Sequence, residues 1–172
     1  MQTKARVSIF AVIVVGLAIR FLKGTTMDGH WMTPEGKQKL KGLLVRHEKY
    51  MQFPYSDTTG HLTVGIGRNL TDRGVSATEA FYLLGDDVDY FDSKLLQYLR
   101  CYSGLSEARQ IALVDMCFNL GVQGFLNFKE MIAALEMGDY GRAADEMLNS
   151  KWAQQVGDRA NVLANIIRTG EI

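Results

Sequence analysis

The chain has 172 residues, enough for one well-packed domain and too few for two ordinary ones with a linker. With 47% hydrophobic and 22% charged residues and only two prolines, extended disorder is not expected. Formal net charge is zero, but Lys4, Arg6, Arg20 and Lys23 stand in residues 1–24 without an acid, which leaves 15 basic against 19 acidic side chains in the remainder, a net of −4. Such a body lacks the basic footprint of a nucleic-acid binder, so nucleic acid is excluded as an expected partner.

Lys4 and Arg6 precede an unbroken, nearly all-apolar run, Val7 to Ile19, closed by Arg20. As a helix it reaches only about 20 Å, short of the roughly 30 Å hydrocarbon core. Extension to Leu22 carries Arg20 to the membrane edge, where a long side chain can snorkel. A basic start before a short apolar core is the pattern of an export signal, although Arg20 to Lys23 supplies no A-x-A cleavage site. Three readings stay open: a cleaved signal peptide, a permanent anchor, or a weak anchor that later leaves the bilayer. A buried core helix is a common fate for a run of this length. It is set aside because the segment is N-terminal, apolar all round and flanked only by bases. Residues 1–24 are therefore assigned as a signal or signal-anchor segment and residues 25–172 as the folded domain.

Thr33-Pro34 reads as an N-cap and first helical residue, and Leu40, Leu43, Leu44 and His47 recur at helical spacing, so a helix is expected to about Glu48. Phe53-Pro54-Tyr55 marks a break. Asp57-Thr58-Thr59-Gly60 supplies a turn, and Leu62, Val64 and Ile66 alternate with Thr63, Gly65 and Gly67 in the period of a strand. This is the one convincing β region. Ser76-Ala77-Thr78-Glu79 is a capping box whose helix Gly85 is expected to interrupt, with Asp86 to Tyr98 resuming it. Ser106 caps an apolar helix that should stop at Gly121. Asn127 and Glu130 are expected to cap the next, closed by Gly138. Asp139 opens another, and Asp158 opens the last, ending at Gly170. The fold class is α+β, mainly helical with a small hairpin region.

Cys101 and Cys117 form neither a disulfide framework nor a metal cluster, and Cys117 falls on an apolar helix face where a buried free thiol is usual. A bridge between them demands specific geometry and stays open. His30, His47 and His61 are too scattered for a metal site, so no metal or cofactor is expected. His47 beside Glu48 reads as simply hydrogen-bonded and His61 as an exposed turn residue. Trp31 and Trp152 have rings that can stack on sugar, but helix packing is the stronger reading for Trp152.

Glycosidic cleavage needs an acid to protonate the leaving oxygen and a carboxylate across the sugar ring. Glu48 is expected at a helix end, a place where surrounding apolar groups can raise the pKa of a carboxyl and keep it protonated as an acid. Asp57 lies in a wetter turn that favours the ion. Thr63 offers a hydroxyl to hold a water near Asp57. Gly65 and Gly67 leave the backbone open to a sugar. Taken alone, an acid at a helix end is usually a solvated surface group, and Asp before Thr-Thr-Gly is usually a turn former.

The surrounding residues add a resemblance. E-x8-D-x5-T followed by VGIG resembles the catalytic block of the T-even phage lysozyme family of endolysins. ARQIALVDMCFNLG resembles that family's central helix, GFLNFKEMIAALEMGDYGRAADEM its following helical pair, and SKW, DRA and IIRTG its C-terminal helices. The likeness covers residues 33–170. It implies a lysozyme-like fold whose hairpin region forms one side of a cleft. It also implies a glycoside hydrolase, a lysozyme acting as a muramidase on the glycan strands of peptidoglycan to lyse a bacterial host. By position, Glu48 matches the general acid, Asp57 the carboxylate that activates water and Thr63 the hydroxyl that orients it. Phe118 and Asn119 match a cleft-lining position. The family is thought to invert configuration, which requires a carboxyl separation wide enough for a water. Two departures stand out: Arg68 where the family often has His after Gly-Ile-Gly, and a net charge unlike its basic members.

The apolar segment joined to such a domain resembles signal-anchor-release endolysins, in which the uncleaved segment holds the enzyme inactive on the inner membrane until it escapes. Ser8, Ala11, Gly16 and Ala18 make the run less hydrophobic than a permanent anchor. With no cysteine in residues 1–24, caging by a disulfide to that segment is excluded. The expectation is a monomer, exported, tethered to the inner membrane through residues 7–22 and released to the periplasm of a Gram-negative host. The alternative is a catalytically idle peptidoglycan-binding or structural module on the same fold.

Overall fold

The computed structural model describes residues 32–172, so the segment 1–24 with its apolar run, and also His30 and Trp31, lie outside the described residues. Compact packing divides the chain between Arg73 and Gly74.

In the first unit, α1 spans Pro34–His47. Thr33 caps it, its Oγ1 accepting the Gly36 N–H at 3.0 Å, and proline stands where its missing N–H costs nothing. Glu35 in the first turn and Arg46 and His47 in the last complement the helix dipole. Glu48 is the C-cap, with extended backbone and its N–H on the Leu44 carbonyl. No residue of α1 is buried.

Three strands follow, β1 (Tyr50–Ser56), β2 (Leu62–Ile66) and β3 (Arg68–Asn69), in the antiparallel order β1-β2-β3. Tyr50 pairs with Ile66, Ser56 with Leu62, and Thr63 with Asn69. Phe53-Pro54-Tyr55, expected as a break, lies inside β1. Proline is tolerated there because β1 is an edge strand and its register slips between Met51 and Tyr55, so no ladder bond is demanded of Pro54. The alternation along β2 is present with an unexpected sense: Thr63 is 4% exposed, whereas Leu62 and Ile66 are 45% and 46% exposed. Gly67, at φ +69°, makes the tight reversal into β3, a conformation open to glycine without a Cβ clash.

In the second unit, α2 runs unbroken over Ala77–Tyr98 behind the expected capping box, Ser76 and Glu79 each satisfying the other's backbone N–H. Gly85 does not interrupt it. A single mid-helix glycine costs about 1 kcal/mol relative to alanine, which a helix of 22 residues absorbs. A 3-10 turn at Tyr102–Gly104 leads to α3 (Glu107–Leu126), capped by Ser106. Gly121 kinks α3 rather than ending it, its φ of 69° and ψ of 160° breaking the helical path for one residue. α4 is Lys129–Glu136, and its N-cap is Phe128, not Asn127. α5 (Tyr140–Leu148) opens on Asp139, α6 (Lys151–Val156) on Ser150, and α7 (Asp158–Thr169) ends at the left-handed Gly170.

The buried apolar side chains among the described residues belong to this second unit. Ala112, Leu113, Met116 and Cys117 repeat on one face of α3 and pack with Phe125, Met131, Leu135, Met147 and Ile167, all at most 1% exposed. Each large side chain contributes about 1.5–3 kcal/mol by leaving water. Arg109 ties the start of α3 to the end of α7: its Nε donates to the Ile167 carbonyl at 2.8 Å while the guanidinium stacks 3.6 Å from the Tyr140 ring. Cys101 and Cys117 are free thiols, the second buried as expected, and burial pushes its thiol up to about 11. Seven helices and one three-stranded antiparallel sheet among the described residues bear out the mainly helical α+β class.

Candidate active site

Glu48, Asp57 and Thr63 all lie in the first unit, on three successive pieces of it. Glu48 is exposed at the end of α1, so the apolar enclosure expected around it is not supplied among the described residues of its own unit. Its carboxylate lies along the Gly67 backbone, where an added Cβ would stand 3.4 Å from Oε2. The φ of +69° is what calls for glycine here, since a Cβ would meet the acid only at contact distance.

Asp57 opens the turn from β1 to β2, closed by its N–H on the His61 carbonyl at 2.9 Å. Its Oδ1 collects three donors: the Thr59 N–H at 2.8 Å, the Thr59 hydroxyl at 2.7 Å and the His61 N–H at 2.9 Å. The Thr59 hydroxyl first, then the His61 N–H, hold this carboxyl below its ordinary value of 3.8, with slight desolvation pulling the other way. The wetter, ion-favouring setting expected of Asp57 is therefore supplied by donors as much as by water. Thr63 is buried on β2, its hydroxyl donating to the His61 carbonyl at 3.4 Å. One peptide residue, His61, therefore touches both side chains, its N–H on Asp57 and its C=O on Thr63.

His61 and its partners are what sequence reasoning missed. The ring is part-buried rather than an exposed turn group. Nδ1 lies 2.7 Å from the Thr59 hydroxyl, and Nε2 lies 3.5 Å from the Asp72 carboxylate. Asp72 is in turn held by Asn69, whose amide donates to it at 2.8 Å. The one available signal was a histidine four residues after an aspartate across a Thr-Gly turn. Histidine in turns is too common for that to stand out.

Phe118 and Asn119 lie in the second unit, late in α3. Phe118 is 41% exposed, rests edge-on against Phe91 at 5.5 Å, and lines a cavity of about 490 Å3 with Val88, Asp92, Ile111, Asp115 and Arg159. Asn119 accepts the Trp152 indole N–H at 2.7 Å, which fixes its carbonyl end and turns its amide N–H groups away from that bond. Trp152 is buried and meets Phe128 edge to face, so it packs as expected and also orients Asn119. A second cavity, of about 660 Å3, opens between Phe128, Glu146, Asn149 and Lys151.

The phage lysozyme family profile matches residues 45–168. The chain belongs to the phage lysozyme family. The match begins before Glu48 and ends within α7, so it takes in both units and every candidate residue. Among curated proteins, the chain is 26% identical to probable T4-type lysozyme 1 of Dictyostelium discoideum over 69% of this chain and 86% of that protein. It is 24% identical to probable T4-type lysozyme 2 of the same organism over 77% and 95%. It is also 28% identical to the pre-baseplate central spike protein Gp5 of Enterobacteria phage T4, covering 76% of this chain but only 28% of that protein. Family membership makes the chain a lysozyme-like glycoside hydrolase with peptidoglycan as its substrate class.

Proposed function

We propose that this member of the family is a muramidase that hydrolyses the β-1,4 bond between N-acetylmuramic acid and N-acetylglucosamine and so lyses a bacterial host. Glu48 is the general acid for the leaving oxygen, Asp57 the base for the attacking water, and Thr63 the hydroxyl that orients that water. Phe118 and Asn119 contact the saccharide. The observation that carries the reading is Asp57: a carboxylate whose Oδ1 is saturated by three donors stays ionised at neutral pH and presents Oδ2 in a constant direction. Glu48→Gln and Asp57→Asn test it by the clearing of purified cell walls. Each is expected to lose about 100-fold or more with far-UV circular dichroism unchanged. Clearing at the wild-type rate by folded Glu48→Gln sinks the assignment. Wall binding without clearing by the wild-type chain marks the idle module instead.

We further propose that the protein works as a monomer exported to the periplasm of a Gram-negative host, first tethered to the inner membrane through residues 7–22. The support is the basic-flanked apolar run, too short for a robust span. Fractionation before and after collapse of the membrane potential should move the full-length chain from membrane to soluble fraction. A chain shortened by signal-peptide cleavage at all times defeats the tether.

A further inference from the structure

His61 stands between two carboxylates. Its Nδ1 is 3.8 Å from Asp57 Oδ2 and 2.7 Å from the Thr59 hydroxyl, and its Nε2 is 3.5 Å from Asp72 Oδ2. Among the described residues these are the charged groups recorded against the ring, one from the β1–β2 turn and one from the segment after β3. The same Thr59 hydroxyl lies 2.7 Å from Asp57 Oδ1. That hydroxyl has one proton and two close partners. An ionised Asp57 can only accept, so the proton goes to Oδ1 and the ring must then donate from Nδ1. Nε2 faces the Asp72 carboxylate, which also calls for a donor. The Thr59 contact asks only for a proton on Nδ1, and the Asp72 carboxylate, 3.5 Å from Nε2 and already accepting from the Asn69 amide, is an ion-pair contact that the doubly protonated imidazolium satisfies as well.

We propose that His61 is a positioning residue for Asp57, committing the Thr59 hydroxyl to Oδ1 while the ring carries both protons and releasing it when the ring loses one. On deprotonation the remaining proton stays at Nε2, where Asp72 holds it, and Nδ1 becomes an acceptor. The Thr59 hydroxyl then rotates from Oδ1 to Nδ1. Atoms and charge balance: one proton leaves to solvent, and one hydroxyl changes acceptor. The backbone N–H groups of Thr59 and His61 stay on Oδ1 at 2.8 and 2.9 Å, so the carboxylate keeps its direction. Having lost one donor, it becomes the stronger base. The inference rests on the reading of Asp57 as the base that activates water.

The test has two arms. In the first, the Asp57 carboxyl carbon is followed by NMR in the Glu48→Gln protein as pH is taken through the imidazole range. A second inflection of the Asp57 signal that coincides with the His61 ring titration is expected, and an Asp57 signal flat through that range overturns the proposal. In the second, wall-clearing rates of wild type and His61→Asn are compared from pH 5 to 8. Asparagine keeps an N–H donor near the Nδ1 position but does not titrate. The ratio of wild-type to variant rate should rise about two- to threefold across the imidazole range, since the rest of the site is common to both proteins. A constant ratio overturns the proposal, as does a His61→Asn signal that still shows the second inflection. The NMR arm needs no turnover. Coupling seen there alongside undiminished clearing by Asp57→Asn would therefore condemn the role of Asp57 in catalysis and not its contact with His61.

Discussion

At Asp57 three donors converge on one oxygen, and the stability they confer depends on the charge they bind. The folded carboxyl is held below its ordinary value of 3.8, chiefly by the Thr59 hydroxyl. A group depressed in the folded state adds stability above its unfolded value and loses it as pH falls through the folded value. Urea melts should therefore show a wild-type advantage over Asp57→Asn that is constant above about pH 5 and shrinks below about pH 4. An advantage that grows on acidification contradicts the geometry. Gly67 makes a second residue-scale case. Alanine there takes φ of +69° at a cost of about 1–2 kcal/mol and sets a methyl 3.4 Å from the Glu48 carboxylate. Gly67→Ala is expected to melt earlier and to clear walls more slowly. A loss of stability with full clearing would detach Gly67 from Glu48 function.

The elements owe their ends to short-range chemistry that the sequence states openly. The Ser76–Glu79 box, the Ser106 and Asp139 caps and the left-handed Gly170 each satisfy backbone groups within a few residues, so they are legible without tertiary knowledge. Ser76→Ala should cost about 1 kcal/mol in denaturant melts, since it removes the acceptor for the Glu79 N–H. Gly85 and Pro54 misled for the converse reason. Whether a helix continues through glycine, or a strand through proline, depends on what packs on either side and on which edge needs a hydrogen bond. Trp152 lies between these cases: its indole both packs and holds Asn119. Trp152→Phe keeps the packing but leaves the Asn119 carbonyl without its donor, which should lower stability by about 1–3 kcal/mol. An unchanged melting midpoint would mean that water replaces the bond.

Across the described chain the large buried side chains gather around α3, whereas the first unit buries Thr63 and keeps the apolar side chains of α1 and β2 partly in water. Stability measured on the intact protein should accordingly answer most strongly to α3. Leu113, fully buried, is expected to cost about 2–5 kcal/mol as alanine. At roughly 2–4 °C per kcal/mol for a chain of this size, calorimetry should show a fall of several degrees or more. Leu43→Ala on exposed α1 should change far less, and equal losses at the two positions would overturn this distribution. The Thr33, Ser76, Ser106, Asp139 and Gly170 caps, the β2 strand, the α+β class and the order Glu48, Asp57, Thr63 are legible in the amino-acid order, because local hydrogen bonding and periodicity act over a few residues. The folded chain adds that Thr63 is the buried side of β2, that Glu48 lies along Gly67, and that His61 stands between Asp57 and Asp72. Those contacts depend on strand register and turn geometry, which bring together groups that no spacing rule pairs.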